Sequence, residues 1–268
     1  MSAITFSKLG QHGRLGNQMF QYALLTGVAK RRNFEVLIPE DLMLGFDLTA
    51  GMVPRLELEH GRPIYRERGA AFHFDDGVFD CAPGTDFFGY FQSYRYFKNA
   101  EAEVRREFTF VEAVEGYAAE WMGKIRAFAT GRPCIAVHAR RGDYMHFGGR
   151  FTPFTDTYFQ RAKKAIEAND SVFVMFSDDP SWLQNNYHGE DIFFLDEPDE
   201  FVSLSVASKC DHIICSASSF SWWAAWLNRS SAKRIVIPSP WFGPSYEYPE
   251  SENQRSPDHW IRVNPREE

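Results

Sequence analysis

The chain has little that would tie it to a membrane, a nucleic acid or a metal. No apolar run approaches the roughly 20 residues that a helix needs to cross a bilayer. The opening Met1-Ser2-Ala3-Ile4-Thr5-Phe6 has neither the charged start nor the long apolar core of a signal peptide. There are only four cysteines (Cys81, Cys134, Cys210 and Cys215), and no Cys-x-x-Cys spacing. That excludes a disulfide framework and a structural zinc, and it predicts free buried thiols in a reducing cytoplasm. No Asp-x-Asp pair occurs, and no His, Asp and Glu cluster has metal spacing. No metal and no other cofactor is therefore expected. Positive charge is in deficit, at a net -7, which argues against nucleic acid as the main partner. It does not argue against one small phosphate ligand, which needs only a local basic pocket. Internal repeats and low-complexity tracts are absent too. What the 268 residues do have is apolar material, 44% hydrophobic and 16% aromatic. That is ample core for one large domain or two small ones.

The N-terminal part reads as a β-loop-α-β unit. A strand at 4–6 leads into a loop carrying Gly10, Gly13 and Gly16. A helix at 17–32 follows, with Met19, Tyr22, Ala23, Thr26 and Ala29 at helical spacing and Asn17 as the expected N-cap. The next strand is 36–38, closed by Pro39. Residues 42–86 show no usable periodicity. An aromatic run at 87–94 resumes a strand-and-turn pattern, and 99–128 is mostly helical. Gly131-Arg132-Pro133 breaks the chain, which suggests domains at 1–130 and 131–268. The final residues are a candidate for packing back on the first domain. Beyond the break, strands at 134–138, 172–176, 192–195, 212–215 and 235–238 alternate with helices near 157–168, 180–187, 199–209 and 219–229. Such alternation means a parallel sheet covered by helices, with ligands outside the carboxyl ends of its strands.

Three segments occupy those ends. The first is His138-Ala139-Arg140-Arg141-Gly142-Asp143-Tyr144, after the apolar run 134–137. Two adjacent guanidiniums at a strand end can hold a dianionic phosphate, and an aspartate close by can orient them. The same residues would also serve as an ordinary surface ion-pair cluster, and His138 as a satisfied core histidine. The second segment is Ser177-Asp178-Asp179. Asp179-Pro180 suits a helix start, whereas Asp178 is not needed for one and could accept from a guanine ring. The third, Ser216-Ala217-Ser218-Ser219-Phe220-Ser221, is either a plain helix opening or a phosphate seat. Trp222, Trp223 and Trp226 read as core. The N-terminal Gly13-Arg14-Leu15-Gly16-Asn17 lacks the full dinucleotide fingerprint, so a nicotinamide role is weak.

The stretch from Gly13 to Ala23, the arginine segment 138–144, Phe176 to Asp179, Ser218 to Asn228, and Gly89-Tyr90-Phe91-Gln92-Ser93 resemble, in order, blocks of the bacterial and animal α-1,2-fucosyltransferases, glycosyltransferase family eleven. The resemblance implies an α/β, GT-B-like fold with two Rossmann-type domains facing a cleft. The first domain would bind the acceptor and the second the GDP-sugar. It implies an inverting transfer of L-fucose from GDP-L-fucose to the 2-hydroxyl of a terminal galactoside in a glycan, as in bacterial surface polysaccharide synthesis. The setting would be cytoplasmic or peripheral at the inner membrane face. Carried over by position, Arg140 would hold the diphosphate. Arg141 would support the motif or contact the donor. His138 and Asp178 would lie near the nucleoside, and Ser218, Ser219 and Phe220 would seat the phosphates. Gly16 and Asn17 would approach the donor from the other domain. Asp143 is the first candidate for general base and His138 the second. Departures are Ala139 for a commoner Val, Ala217 for a frequent Asn, Tyr94 where an acidic residue is frequent, and the loop 145–150. Other GDP-sugar transferases, of O-fucosyl type or using another 6-deoxysugar, are the alternative class. A glycan-binding protein without catalysis is the remaining one.

Overall fold

A computed structural model describes residues 2–59, 61–68, 73–246 and 255–266. The chain forms two compact units, Met1–Val111 with Ser251–Pro257, and Glu112–Glu250 with Asp258–Glu268.

In the first unit the elements run β1 (Ala3–Thr5), α1 (Leu15–Arg32), β2 (Glu35–Pro39), β3 (Gly51–Val53), α2 (Arg55–Leu58), β4 (Ile64–Arg66), β5 (Asp86–Phe88) and α3 (Glu101–Glu107). All strand pairs are parallel, in the order β3-β2-β1-β5-β4. Helix α1 begins at Leu15, two residues ahead of the expected start. Its N-cap is Arg14, with no side-chain cap, so Asn17 is not the cap. Lys30, Arg31 and Arg32 fill its last turn and oppose the helix dipole. Asn33 then ends it in the left-handed conformation at φ 55°. Among its described residues, the stretch 42–86 that lacked periodicity contains three-residue strands, the four-residue α2 and a 3-10 turn at Asp76–Asp80. Such elements are too short to print a period. His60 and 69–72 within it lie outside the described residues.

The second unit runs α4 (Glu112–Ala129), β6 (Cys134–Ala139), α5 (Asp156–Ile166), β7 (Val172–Ser177), α6 (Pro180–Asn186), β8 (Ile192–Phe194), α7 (Glu200–Ser208), β9 (His212–Ile214), α8 (Ser219–Leu227), β10 (Ile235–Pro238) and β11 (Ile261–Val263). The sheet order is β11-β10-β9-β6-β7-β8, all parallel. Numbered within the unit this is 3-2-1-4-5-6, the Rossmann order. β6 is buried along its whole length, as an apolar run between two neighbours must be. The core includes Phe154, Tyr158, Phe159, Phe173 and Met175. Trp222, Trp223 and Trp226 are buried, as their spacing suggested.

The unit boundary falls at 111/112, ahead of the break expected at 131. Helix α4 packs on α7, Trp121 donates to Glu197 at 2.7 Å, and Arg126 and Lys209 pair with Asp211 and Glu115. Those contacts bind α4 to the second sheet. Gly131-Arg132-Pro133 is therefore an ordinary helix-to-strand turn inside that unit. Near the far end of the chain, Arg255 returns to the first unit, where its carbonyl accepts from the Tyr94 amide at 3.1 Å. All four cysteines are free and buried. Among the described residues no helix is long and apolar enough to cross a membrane.

Candidate functional site

The strand order of the second unit reverses between β6 and β9, and the three marked segments meet there. Ser216, just past β9, ties the two strand ends together. Its hydroxyl accepts from the Arg140 amide at 2.9 Å and donates to the His138 carbonyl. Tyr144 crosses the same gap, its hydroxyl donating to the Ala217 carbonyl at 2.8 Å. From below, the Tyr158 hydroxyl donates to the Cys215 carbonyl at 2.6 Å. The run 216–221, read as a helix opening or a phosphate seat, thus also contains one residue that ties two strand ends together.

Arg140 stands at the centre. Its Nη2 bonds both oxygens of Asp143, at 2.7 and 2.9 Å, and its Nη1 bonds Asp178 Oδ2 at 2.9 Å. The Arg140 and Asp178 side chains are 13% and 16% exposed, Asp143 38%. With Nη2 on Asp143 and Nη1 on Asp178, the guanidinium plane is fixed by two carboxylates. Asp178 Oδ1 also accepts from the Arg141 amide at 3.0 Å. Gly142 is required for this approach. A Cβ on it would lie 2.3 Å from Asp178 Oδ2.

Arg141 is turned to a different task. Its guanidinium lies 3.9 Å from the centre of the Trp182 ring, and its Nη1 donates to the Phe154 carbonyl at 2.7 Å. Stacked and bonded this way, it supports the loop. Of the two roles open to it in the sequence, this is the supporting one.

His138 is buried, stacked on Phe176 at 5.1 Å and tilted against Phe220 at 5.4 Å. Burial, and secondarily the charge of Arg140, pull its pKa down to about 3. The ring is therefore neutral at ordinary pH and a poor proton acceptor, which weighs against it as a general base. Its Nδ1 is buried without a hydrogen-bond partner among the described residues. Asp179 caps α6 by accepting from the Trp182 amide at 3.2 Å, with Pro180 at the first helical position, as expected. Ser218 caps α8 by accepting from the Phe220 amide at 3.3 Å, and Ser219 and Phe220 are half-buried at that helix start. Among the described residues, no three His, Cys, Asp or Glu side chains gather as a cation site would need.

Residues 4–261 match the family model described as Glycosyl transferase family 11. The chain belongs to glycosyl transferase family 11. Over 94% of its length, and 96% of the relative's, this family 11 chain is 28% identical to an α-1,2-colitosyltransferase of Escherichia coli. It is also 28% identical to galactoside α-(1,2)-fucosyltransferase 2 of Gorilla gorilla gorilla, over 80% of this chain and 67% of the relative. Among solved structures, the NodZ α-1,6-fucosyltransferase superposes with a TM-score of 0.57 at 14% identity, covering 89% of this chain and 95% of that one. POFUT1 gives 0.51 at 13%, covering 88% and 97%. At such identities the structures bear on the fold alone, and that fold is GT-B-like.

The candidate site in the second unit gathers His138, Arg140, Asp143, Asp178, Ser218, Ser219 and Phe220 around one crevice, with Arg141 behind it. Gly16 and Asn17 belong to the first unit, at the amino end of α1. There the Asn17 side chain accepts from Gln92 Nε2, and Gln21 Nε2 donates to the carbonyls of Gly89 at 3.0 Å and His12 at 3.2 Å. These amides lie outside the carboxyl ends of β1 and β5, where that sheet changes direction. Sequence reasoning placed Tyr144 and Ser216 in the strand-end segments, and Gln21 and Gln92 in the resemblance blocks, but gave none of the four a role. A lone Gln, Ser or Tyr carries no period or spacing that would reveal its partner.

Proposed function

We propose that this protein transfers L-fucose from GDP-L-fucose to the 2-hydroxyl of a terminal galactoside, inverting the anomeric carbon and using no metal. The observation that carries the reading is Arg140, held by two carboxylates at the topological switch point beside the amino end of α8. Cleaving the sugar–phosphate bond puts negative charge on the leaving diphosphate. A fixed guanidinium and the positive amino end of the α8 dipole stabilise that charge without reorganising. His138, neutral and wedged between Phe176 and Phe220, has the character of a nucleoside contact.

As it stands Arg140 is shared between two aspartates. A diphosphate competes with them for the guanidinium, and Asp143 is the carboxylate placed to yield, being the more exposed of the two. Once displaced, it is free to take the proton of the acceptor hydroxyl late in a loose, oxocarbenium-like transition state. Asp178, tied to the Arg141 amide as well, stays. In this reading Asp178 acts on the donor through Arg140.

A second reading, transfer of another deoxysugar, is favoured by the relative named as a colitosyltransferase. The test is calorimetric titration with GDP-fucose, GDP-mannose and UDP-galactose, followed by transfer to lactose and NMR assignment of the product linkage. Tight GDP-fucose binding with an α-1,2 product supports the proposal. Equal affinity for the three donors, or a different linkage, would end it.

A further inference from the structure

Beyond Asp143 the chain makes an excursion before α5, and it exposes apolar side chains next to the charged crevice. Met145 is 52% exposed and Phe147 48%. Side by side in the segment 144–155 these are conspicuous, because exposed apolar groups rimmed by polar ones mark binding surfaces. They are not isolated. The Arg140 guanidinium lies 5.1 Å from the Tyr144 ring. Tyr144 stacks on Phe151 at 4.5 Å and 17°. Phe147 meets Phe151 edge-on at 5.4 Å. One run of rings therefore leads from Arg140 to open surface.

The loop is also braced. Its far side is pinned by the Gly243 amide on the Arg150 carbonyl at 3.0 Å and the Ser245 amide on the Gly149 carbonyl at 3.2 Å. Gly243 allows this, since a Cβ there would lie 2.0 Å from the Gly149 oxygen. Arg150 is exposed and stands 5.1 Å over the Tyr246 ring at the rim, and His146 is exposed beside Phe147. The result is a rigid apolar face with planar hydrogen-bonding groups along its edge.

A pyranose has the complementary surface. One face presents C–H groups to an aromatic ring, and its equatorial hydroxyls reach outward to polar groups. We propose that Phe147, with Met145, forms an acceptor-sugar platform that stacks the glycan whose hydroxyl is to be fucosylated. Part of acceptor recognition then sits on the unit expected to bind only the donor. The inference rests on the proposed transferase function, and it assigns specificity to a loop whose sequence departs from the family blocks.

The experiment measures acceptor and donor KM, with lactose and GDP-fucose, for wild type, Phe147→Ala, Met145→Ala and Phe147→Trp. Phe147→Ala should raise the acceptor KM about five- to tenfold, the size of one lost aromatic stacking contact. The donor KM should stay within about twofold, because this ring packs on Phe151, whereas Arg140 lies over Tyr144. Phe147→Trp should restore the acceptor KM. An unchanged acceptor KM in both alanine variants overturns the platform. So does a parallel rise in donor KM, which would make the loop part of the donor site. Vesicle sedimentation or self-association lost in Phe147→Ala, with acceptor KM unchanged, would assign the face to a lipid surface or a second copy instead. A wild type that does not transfer at all fails the proposed function, and is distinguished from the other outcomes by the absence of any measurable acceptor KM.

Discussion

The two sheets are wound alike and filled differently. Both are parallel throughout, and both change direction next to their first strand, between β1 and β5 in one and between β6 and β9 in the other. At the second switch point the chain places Arg140 between two aspartates, with Arg141 stacked away on Trp182. At the first, the described side chains include the amides Asn17, Gln21 and Gln92, while Arg55 donates to the Ser7 and Leu9 carbonyls and Asp86 at the β1–β5 junction is bonded to Ser7. Asp86 accepts from the Ser7 amide at 2.8 Å and the Ser7 hydroxyl at 2.6 Å. Winding makes a crevice, and charge decides what the crevice can bind. A leaving diphosphate needs fixed positive charge; a neutral ligand needs hydrogen bonds and shape.

The sharpest way to break this contrast is to remove the charge. Arg140→Ala should lower transfer at saturating donor by about a hundredfold or more, the roughly 3 kcal/mol of one preorganised contact to developing negative charge. Arg140→Lys should fail as well, because a single ammonium cannot span Asp143 and Asp178. Near-normal turnover in either would show that the charged switch point is not the reaction centre.

Asp178 sharpens the comparison at the next level. A carboxylate past a strand could read guanine, yet here its oxygens already accept from Arg140 and the Arg141 amide. Asp178→Asn should therefore weaken GDP and ADP alike, by about 1.5–3 kcal/mol, the range for a hydrogen bond to a charged group. Parallel titrations read it directly. A loss confined to GDP would return Asp178 to the base and contradict its role as a positioning residue.

Gly142→Ala tests the same contact from the backbone side. The added methyl must push against Asp178 and should destabilise the protein by about 1–3 kcal/mol, as overpacking does. A melting temperature equal to wild type would mean that Asp178 moves freely.

The neutral histidine gives a pH signature. His138 takes up a proton in the unfolded chain near the ordinary histidine pKa but in the folded chain only near about 3. Below about pH 6.5 the unfolded state thus binds more protons, so stability falls as pH drops toward 3, by up to roughly 1.4 kcal/mol per pH unit from this group. Denaturant titrations of wild type and His138→Phe should differ in slope across that window and run parallel above pH 7. Equal slopes would mean that the ring titrates normally and is not sealed between Phe176 and Phe220.

The smallest effect expected is that of chelation. With Arg140 and helix amides carrying the charge, activity in EDTA should remain at no less than about a third of the untreated rate. Complete loss, restored by manganese or magnesium, would show that the crevice needs a cation that its own residues do not replace.

How much was legible follows the same division. In the second unit β6 and β7 are six residues each and fully or almost fully buried. Continuous apolar runs of that length, alternating with amphipathic helices such as α5, announce a parallel sheet and point to its strand ends. In the first unit most strands have three residues, and β3 and β4 are exposed or half-buried along their length. No period survives in such segments, and so 42–86 could not be read. The unit boundary was misplaced for a related reason. Gly131-Arg132-Pro133 marks a local break, whereas α4's membership depends on Asp211, Glu197 and α7, all distant in sequence.

By itself the sequence determined that the protein has a parallel α/β core, that a basic pair stands at one strand end, and that aspartates and a serine-rich helix start stand at two others. Those are local facts, set by hydrophobic period and turn chemistry within a few residues. Only the tertiary structure decided what each polar group does. It gave Arg140 to the crevice and Arg141 to Trp182, made Asp178 a partner of Arg140, took the proton from His138, and set Ser216 between the two strands. Each of these depends on which group lies within about 3 Å once the sheet has formed, and hydrogen bonds and ion pairs act only at that range.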